Sequence, residues 1–91
     1  MNETLSWADG RKRITGLAIA ISTCGGSGGR TDRIIAEALF PAGTVPPETG
    51  TVLTAVYEEK TLRGVVTRTE KTAGNSSFIL MKITAVPQGK S

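Results

Sequence analysis

Three β-prone runs between Gly50 and Val86 limit what this chain can fold into more than any other feature. The first is Val52-Leu53-Thr54-Ala55-Val56-Tyr57. The second begins Leu62-Arg63-Gly64-Val65-Val66-Thr67, and the third runs from Phe78 to Val86. β-Branched, aliphatic and aromatic residues suit a pleated surface, because branching at Cβ leaves a χ1 that a strand tolerates. Side chains two positions apart share a face. Leu53, Ala55 and Tyr57 therefore lie together, as do Leu62, Gly64 and Val66. In the third run Ile79, Met81, Ile83 and Ala85 are uniformly apolar and mark the core face. Tyr57 and Phe78 also read as core residues. Pro87 has no amide to give to a ladder and should end the third strand. Glu58-Glu59-Lys60 lacks the Asn-Gly or Asp-Gly of a tight turn, so a slightly longer hairpin loop is expected there. Ala73-Gly74-Asn75-Ser76-Ser77 carries a Gly-Asn step and reads as a second loop.

The first half of the chain extends the pattern. Thr4 to Ala8 alternates as a short strand, and Asp9-Gly10 is a strong turn dipeptide. In the run that follows, Leu17, Ile19 and Ile21 alternate with Gly16, Ala18 and Ala20. Both faces are apolar, which suits a strand sandwiched between core and a neighbour. Thr23-Cys24-Gly25-Gly26-Ser27-Gly28-Gly29-Arg30 reads as a long mobile loop, because successive glycines offer no side chains to pack. Thr31 to Phe40 fits two templates. As a helix it would place Ile34, Ile35, Ala38 and Leu39 on one stripe. As a strand it would place Ile34, Ala36, Ala38 and Phe40 on one face. Pro41 restricts Phe40 to extended geometry, which favours the strand. Pro41 to Gly50 is a Pro-rich, ordered connection, with Pro46-Pro47 holding an extended path. The segment 87–91 reads as a short polar tail.

The expected architecture is one domain over 1–91, all-β apart from one short helix if Thr31–Phe40 coils. It is a small antiparallel barrel or sandwich of five to six strands. A chain of 91 residues buries only about 60–68% of its unfolded surface, so its core is modest and association with other chains is an attractive source of buried area.

Residue types exclude several chemistries. The chain has no histidine and one cysteine, Cys24. The commonest general base and metal ligand are therefore missing, and no intrachain disulfide can form. Ser27 and Cys24 have no imidazole to activate them. The only adjacent carboxylates, Glu58 and Glu59, fall in a turn where charge is simply solvated. No enzyme, cofactor or metal is expected on these grounds. The glycine loop also has to be weighed as a phosphate loop. At the G-x-x-x-x-G-K-[ST] spacing, Gly29-Arg30-Thr31 takes the last three positions, but Cys24 stands for the first glycine and Arg30 for the lysine. A β-meander behind it cannot supply the parallel sheet that motif requires. Gly16 to Ile21 is too short for a membrane-spanning helix, and no basic segment followed by an apolar stretch opens the chain, so no secretion leader is expected.

The net charge is +3, and its one dense locus is Arg11-Lys12-Arg13. Such a run is usually a solvated strand start. Its functional reading is a dock for phosphates or for an acidic protein surface. A small barrel that binds nucleic acid through this patch, with Arg30 and Arg33 nearby, is the alternative function. The exposed aromatics that stack bases in such proteins are missing beside it. The candidate interaction residues are therefore Arg11, Lys12 and Arg13, together with Gly25, Gly26, Ser27, Gly28, Gly29 and Arg30.

One order of motifs runs through the chain. Ile14-Thr15-Gly16 enters an apolar strand, a long loop follows, and a strand ends in Phe40-Pro41-Ala42-Gly43-Thr44-Val45-Pro46-Pro47-Glu48-Thr49-Gly50. Then come Thr51-Val52-Leu53-Thr54-Ala55-Val56-Tyr57, a short polar turn, Leu62-Arg63-Gly64-Val65-Val66 and a last apolar strand. This order resembles the small β-barrel proteins at the head–tail junction of tailed bacteriophages, the head-completion, stopper and tail-terminator group. Gly50, Arg63, Val65 and Val66 fall on that pattern. The chain departs from it at Glu58-Glu59-Lys60, where an Asp-Gly type of turn is expected, and in the glycine content of its loop. The resemblance implies a structural assembly protein of the virion, put together in the host cytoplasm. It would form a closed homo-oligomeric ring against portal, adaptor or tail proteins, with a passing contact with DNA and none with membrane.

Overall fold

A computed structural model describes residues 3–25 and 31–88. The chain is all-β: β1 (Thr4–Asp9), β2 (Lys12–Gly25), β3 (Thr31–Pro41), β4 (Val52–Tyr57), β5 (Lys60–Gly74) and β6 (Phe78–Pro87). They close into an antiparallel barrel in the order β1-β2-β3-β6-β5-β4. Hairpins make the local pairings. Two pairings distant in sequence, β3 with β6 and β1 with β4, shut the cylinder.

Period-two alternation sets the inside. Leu5 and Trp7 of β1, Ile34, Ala36, Ala38 and Phe40 of β3, and Leu53 and Ala55 of β4 point inward. Val66 of β5 and Ile79, Met81, Ile83 and Ala85 of β6 complete one buried cluster. The interior of a six-stranded barrel is narrow, so alanines and glycines must stand opposite large residues. Gly16 is the tightest case. A Cβ built there would lie 2.4 Å from Phe40 Cε2 and 2.7 Å from the Leu39 carbonyl oxygen. The missing side chain is the space that Phe40 fills, and its ring meets Trp7 at a centroid distance of 5.1 Å and a tilt of 55°.

Several expectations are met and others need correction. Thr31–Pro41 is a strand; the β3–β6 ladder from Ile34 to Pro41 recruits it, and no helix forms. Glu58 and Glu59 make a two-residue turn rather than a longer loop. Both hold positive φ, 50° and 63°, the backbone of a type I′ turn. The Tyr57–Lys60 pair at the end of the ladder holds them there despite their side chains. Thr23, Cys24 and Gly25 belong to β2 instead of the expected loop, because β3 pairs with them; residues 26–30 lie outside the described residues. Ala73 and Gly74 likewise belong to β5, leaving Asn75–Ser77 as the turn, where the Asn75 side chain accepts from the amides of Ser77 and Phe78. Phe78 is not a core residue but 39% exposed, because its parity on β6 is outward. Tyr57 is half-buried. Leu17 and Ile19 are exposed, at 52% and 51%, so the barrel itself covers only the other face of β2. β6 ends at Pro87, as its missing amide demands, and the Gln88 amide donates to the Arg63 carbonyl; 89–91 lie outside the described residues.

Four register shifts break the alternation, one of them at an extra residue, Asp32, of β3 between the Cys24–Arg33 and Gly25–Thr31 pairs. Ile19 is an extra residue in β2 opposite β3, and Thr67 and Thr72 are extra residues in β5 opposite β6. Both threonines donate from Oγ1 to carbonyls of β6, Thr67 to Thr84 and Thr72 to Leu80, each at 3.3 Å. The hydroxyl thus replaces the ladder contact that a bulge disrupts.

Candidate functional site

Antiparallel order sorts the connections to the two ends of the barrel. One end carries the Gly10-Arg11 turn, the 42–51 connection and the Asn75–Ser77 turn. The other carries the Glu58-Glu59 turn and the mouth of the β2–β3 hairpin.

Arg11, Lys12 and Arg13 are all exposed at the first end. Lys12 stands opposite Asp9 across the ladder. The Arg13 guanidinium donates to Ser6 Oγ at 3.1 Å, which satisfies a buried hydroxyl, so one of the three cations is partly committed to the fold. Gly25 is exposed at the far end of β2, paired with Thr31. Gly26, Ser27, Gly28, Gly29 and Arg30 fall outside the described residues. Arg33 sits beside Cys24 near that far end. The basic triplet and Arg33 therefore occupy opposite ends and do not form one patch.

A cleft opens between the end of β1 and the 45–48 segment. Trp7, Ala8, Asp9, Val45, Pro47 and Glu48 line it, and its volume is about 160 Å³. Small-molecule sites usually enclose about 300–1,000 Å³, so this cleft suits a side chain more than a metabolite. Cys24 is exposed. Among the described residues, no group of three or more His, Cys, Asp or Glu could hold a metal ion.

The most distinctive feature is unpaired backbone. β1 and β4 have 6 residues each, whereas β2 has 14 and β5 has 15. The long strands outrun the short ones. β2 pairs with β1 only as far as Leu17, and the Ala18 amide makes one more bond to the Glu3 carbonyl. From Ile19 to Gly25 no described residue pairs with its other side. β5 pairs with β4 as far as Val65, and Val66 exchanges bonds with Gly50 and Thr51. From Thr67 to Gly74 its other side is likewise open among the described residues. The two open edges flank one four-stranded sheet, β2-β3-β6-β5.

The outer face of that sheet carries an apolar row. Leu17, Leu39 and Leu80 stand directly opposite one another across three strands, with Ile19 and Phe78 alongside. A charged row, Glu37, Lys82 and Glu70, crosses the sheet next to it.

Sequence reasoning located the basic triplet but missed both open edges. A signal was present: the β-branched residues Val65, Val66, Thr67, Thr69 and Thr72 carry the strand-prone run well past the length of the facing strand Val52–Tyr57. Comparison of the chain with protein-family models, with curated proteins and with solved structures returned no match.

Proposed function

We propose that this barrel is a structural subunit that assembles with copies of itself, and that its assembly is a ring at the head–tail junction or tail end of a phage particle. The observation that carries the reading is the pair of strand edges, open among the described residues, on opposite flanks of one sheet. Unpaired strand backbone is a template for another chain, and natural proteins cover or blunt it unless it is used. Two different edges on one subunit give a head-to-tail contact, and such a contact closes into a ring when its rotation permits. Exposed Leu17, Ile19 and Phe78, beside half-buried Leu39 and Leu80, add apolar area that a neighbour would cover. The phage context comes from the motif order from Ile14 to Val86, which resembles the connector pattern apart from Glu58-Glu59-Lys60 and the glycine content of the loop. Neighbouring portal, adaptor or tail proteins would meet the ends of the barrel, where the basic triplet lies.

Native mass spectrometry of the purified chain, alone and with candidate neighbouring proteins, tests the reading. A closed oligomer of fixed copy number, found also in purified particles, is the expected result. A chain that stays monomeric at every concentration and never joins particles refutes it.

A further inference from the structure

The two open edges are complementary in backbone polarity, direction and charge. From this we infer that the edge of β2 in one copy pairs with the edge of β5 in the next, with Ile21 opposite Lys71 and Thr23 opposite Thr69. The inference rests on the ring reading above and specifies its contact.

Backbone polarity comes first. In an antiparallel strand, successive residues bond to alternate sides. The Ala18 amide points to the β1 side, where it meets Glu3. The bulge at Ile19 shifts the alternation by one, so the amides and carbonyls of Ile21 and Thr23 face the open side while those of Ser22 and Cys24 face β3. On β5, Val66 points to the β4 side. The bulge at Thr67 shifts the alternation, so Thr69 and Lys71 face the open side. Each edge thus presents two bonding residues separated by one, the spacing an antiparallel ladder requires.

Direction agrees. Neighbouring strands in β2-β3-β6-β5 are all antiparallel, so β2 and β5 run oppositely. A second copy placed in the same orientation beside β5 offers β2 antiparallel, and the alternation continues through the contact.

Charge selects between the pairings. The register above sets Ser22 opposite Glu70 and Cys24 opposite Arg68, so no like charges meet. β5 pairing with itself through both Thr69 and Lys71 would centre on Glu70 and place the two carboxylates side by side, which is destabilising. β2 holds no charged residue and no proline from Ile19 to Gly25, so it lacks the usual protection of an edge. Pairing of β2 with itself has no charge conflict, but it stops at a dimer and leaves the β5 edge open. Only the mixed contact uses both edges of every copy.

Two experiments test the contact. Thr23→Pro and Lys71→Pro each remove one amide that faces the open side and leave the barrel's own ladder bonds in place. Wild-type chain should give a ring in native mass spectrometry, and each variant alone should fall to monomer. An equimolar mixture should stop at a dimer, because each copy keeps one working edge. Rings that survive both substitutions overturn the contact while leaving the ring reading standing. A dimeric Lys71→Pro beside a monomeric Thr23→Pro shows β2 pairing with itself and also overturns it. Wild type that never associates sinks both readings. The second experiment does not depend on proline being tolerated. Cys24 and residue 68 would form a non-hydrogen-bonded cross-strand pair, with Cα atoms about 4.5 Å apart, within the range a disulfide spans. Mild oxidation of Arg68→Cys should link subunits into a ladder of multimers through native Cys24. An assembled oligomer of this variant that yields no such ladder overturns the register.

Discussion

Substituting Gly16 by alanine offers the sharpest check on how this barrel is packed. The added Cβ would lie 2.4 and 2.6 Å from two carbons of the Phe40 ring and 2.7 Å from the Leu39 carbonyl oxygen. Real Cβ contacts do not reach such distances, so something must move. The carbonyl belongs to the β2–β3 ladder and cannot retreat without breaking it. The ring is 1% exposed and stands against Trp7, so it has no empty volume to enter. Overpacking a filled core costs about 1–3 kcal/mol, and displacing an aromatic pair forfeits about 0.5–1.5 kcal/mol more. The expected loss is about 2–4 kcal/mol. For a domain of this size each kcal/mol moves Tm by about 4–8 °C, so a fall of at least about 8 °C is expected. Trp7 is the only tryptophan and is buried, so its fluorescence reports unfolding in urea or on heating. The double variant Gly16→Ala/Phe40→Leu should recover part of the loss, because the smaller side chain vacates the space the methyl needs. A Gly16→Ala protein within about 0.5 kcal/mol of wild type, the spread of an inert surface change, would refute the account of Phe40 filling the glycine's place.

Other outcomes follow from the same geometry. Gly64→Ala should cost less than Gly16→Ala, since its new Cβ meets Ala85 Cβ and the Val86 carbonyl oxygen at 3.0 Å; parallel urea titrations of the two variants rank them. Replacing Glu58-Glu59 by Asn-Gly should stabilise the barrel by about 1 kcal/mol, because residues with a Cβ pay about that for left-handed φ and this dipeptide favours it; an unchanged urea midpoint would count against the positive φ values. Met81→Ala, at a position with no exposure, should cost about 2–5 kcal/mol, measured by the same fluorescence signal. Changing Arg11, Lys12 and Arg13 together to glutamate tests the nucleic-acid alternative: on the ring reading, oligomer size should be unchanged and any DNA binding at low salt should be weak beforehand and steeply salt-dependent. Tight, sequence-selective DNA binding by the wild type would favour the alternative instead.

Much of the fold was legible because it depends on short-range pattern. The inward faces of β3, β4 and β6 follow from alternation alone, and the end of β6 follows from the missing amide of Pro87. The errors share one cause. Glu58-Glu59, Thr23–Gly25 and Ala73-Gly74 have compositions that suggest loops, yet each lies where two strands are already aligned. Extending the ladder then satisfies backbone groups that would otherwise be left unpaired. Phe78 was misplaced because an apolar residue was assumed to be inward, whereas its side is fixed by parity along β6. Of the candidate site, the basic triplet was visible as a charge run. The open edges were not, because an edge is defined by what fails to lie beside it.

By itself, then, the sequence determined the strands other than β3, which it left between helix and strand, most of the inward faces and the absence of imidazole chemistry, since these are properties of neighbouring residues along one chain. Tertiary structure alone decided that β3 is a strand, the closing pairs β3–β6 and β1–β4, the bulge positions, and the mismatch in length that leaves β2 and β5 open among the described residues. The physical reason is that a strand carries bonding groups on both flanks, and which flank is satisfied depends on the register and length of a partner many residues away.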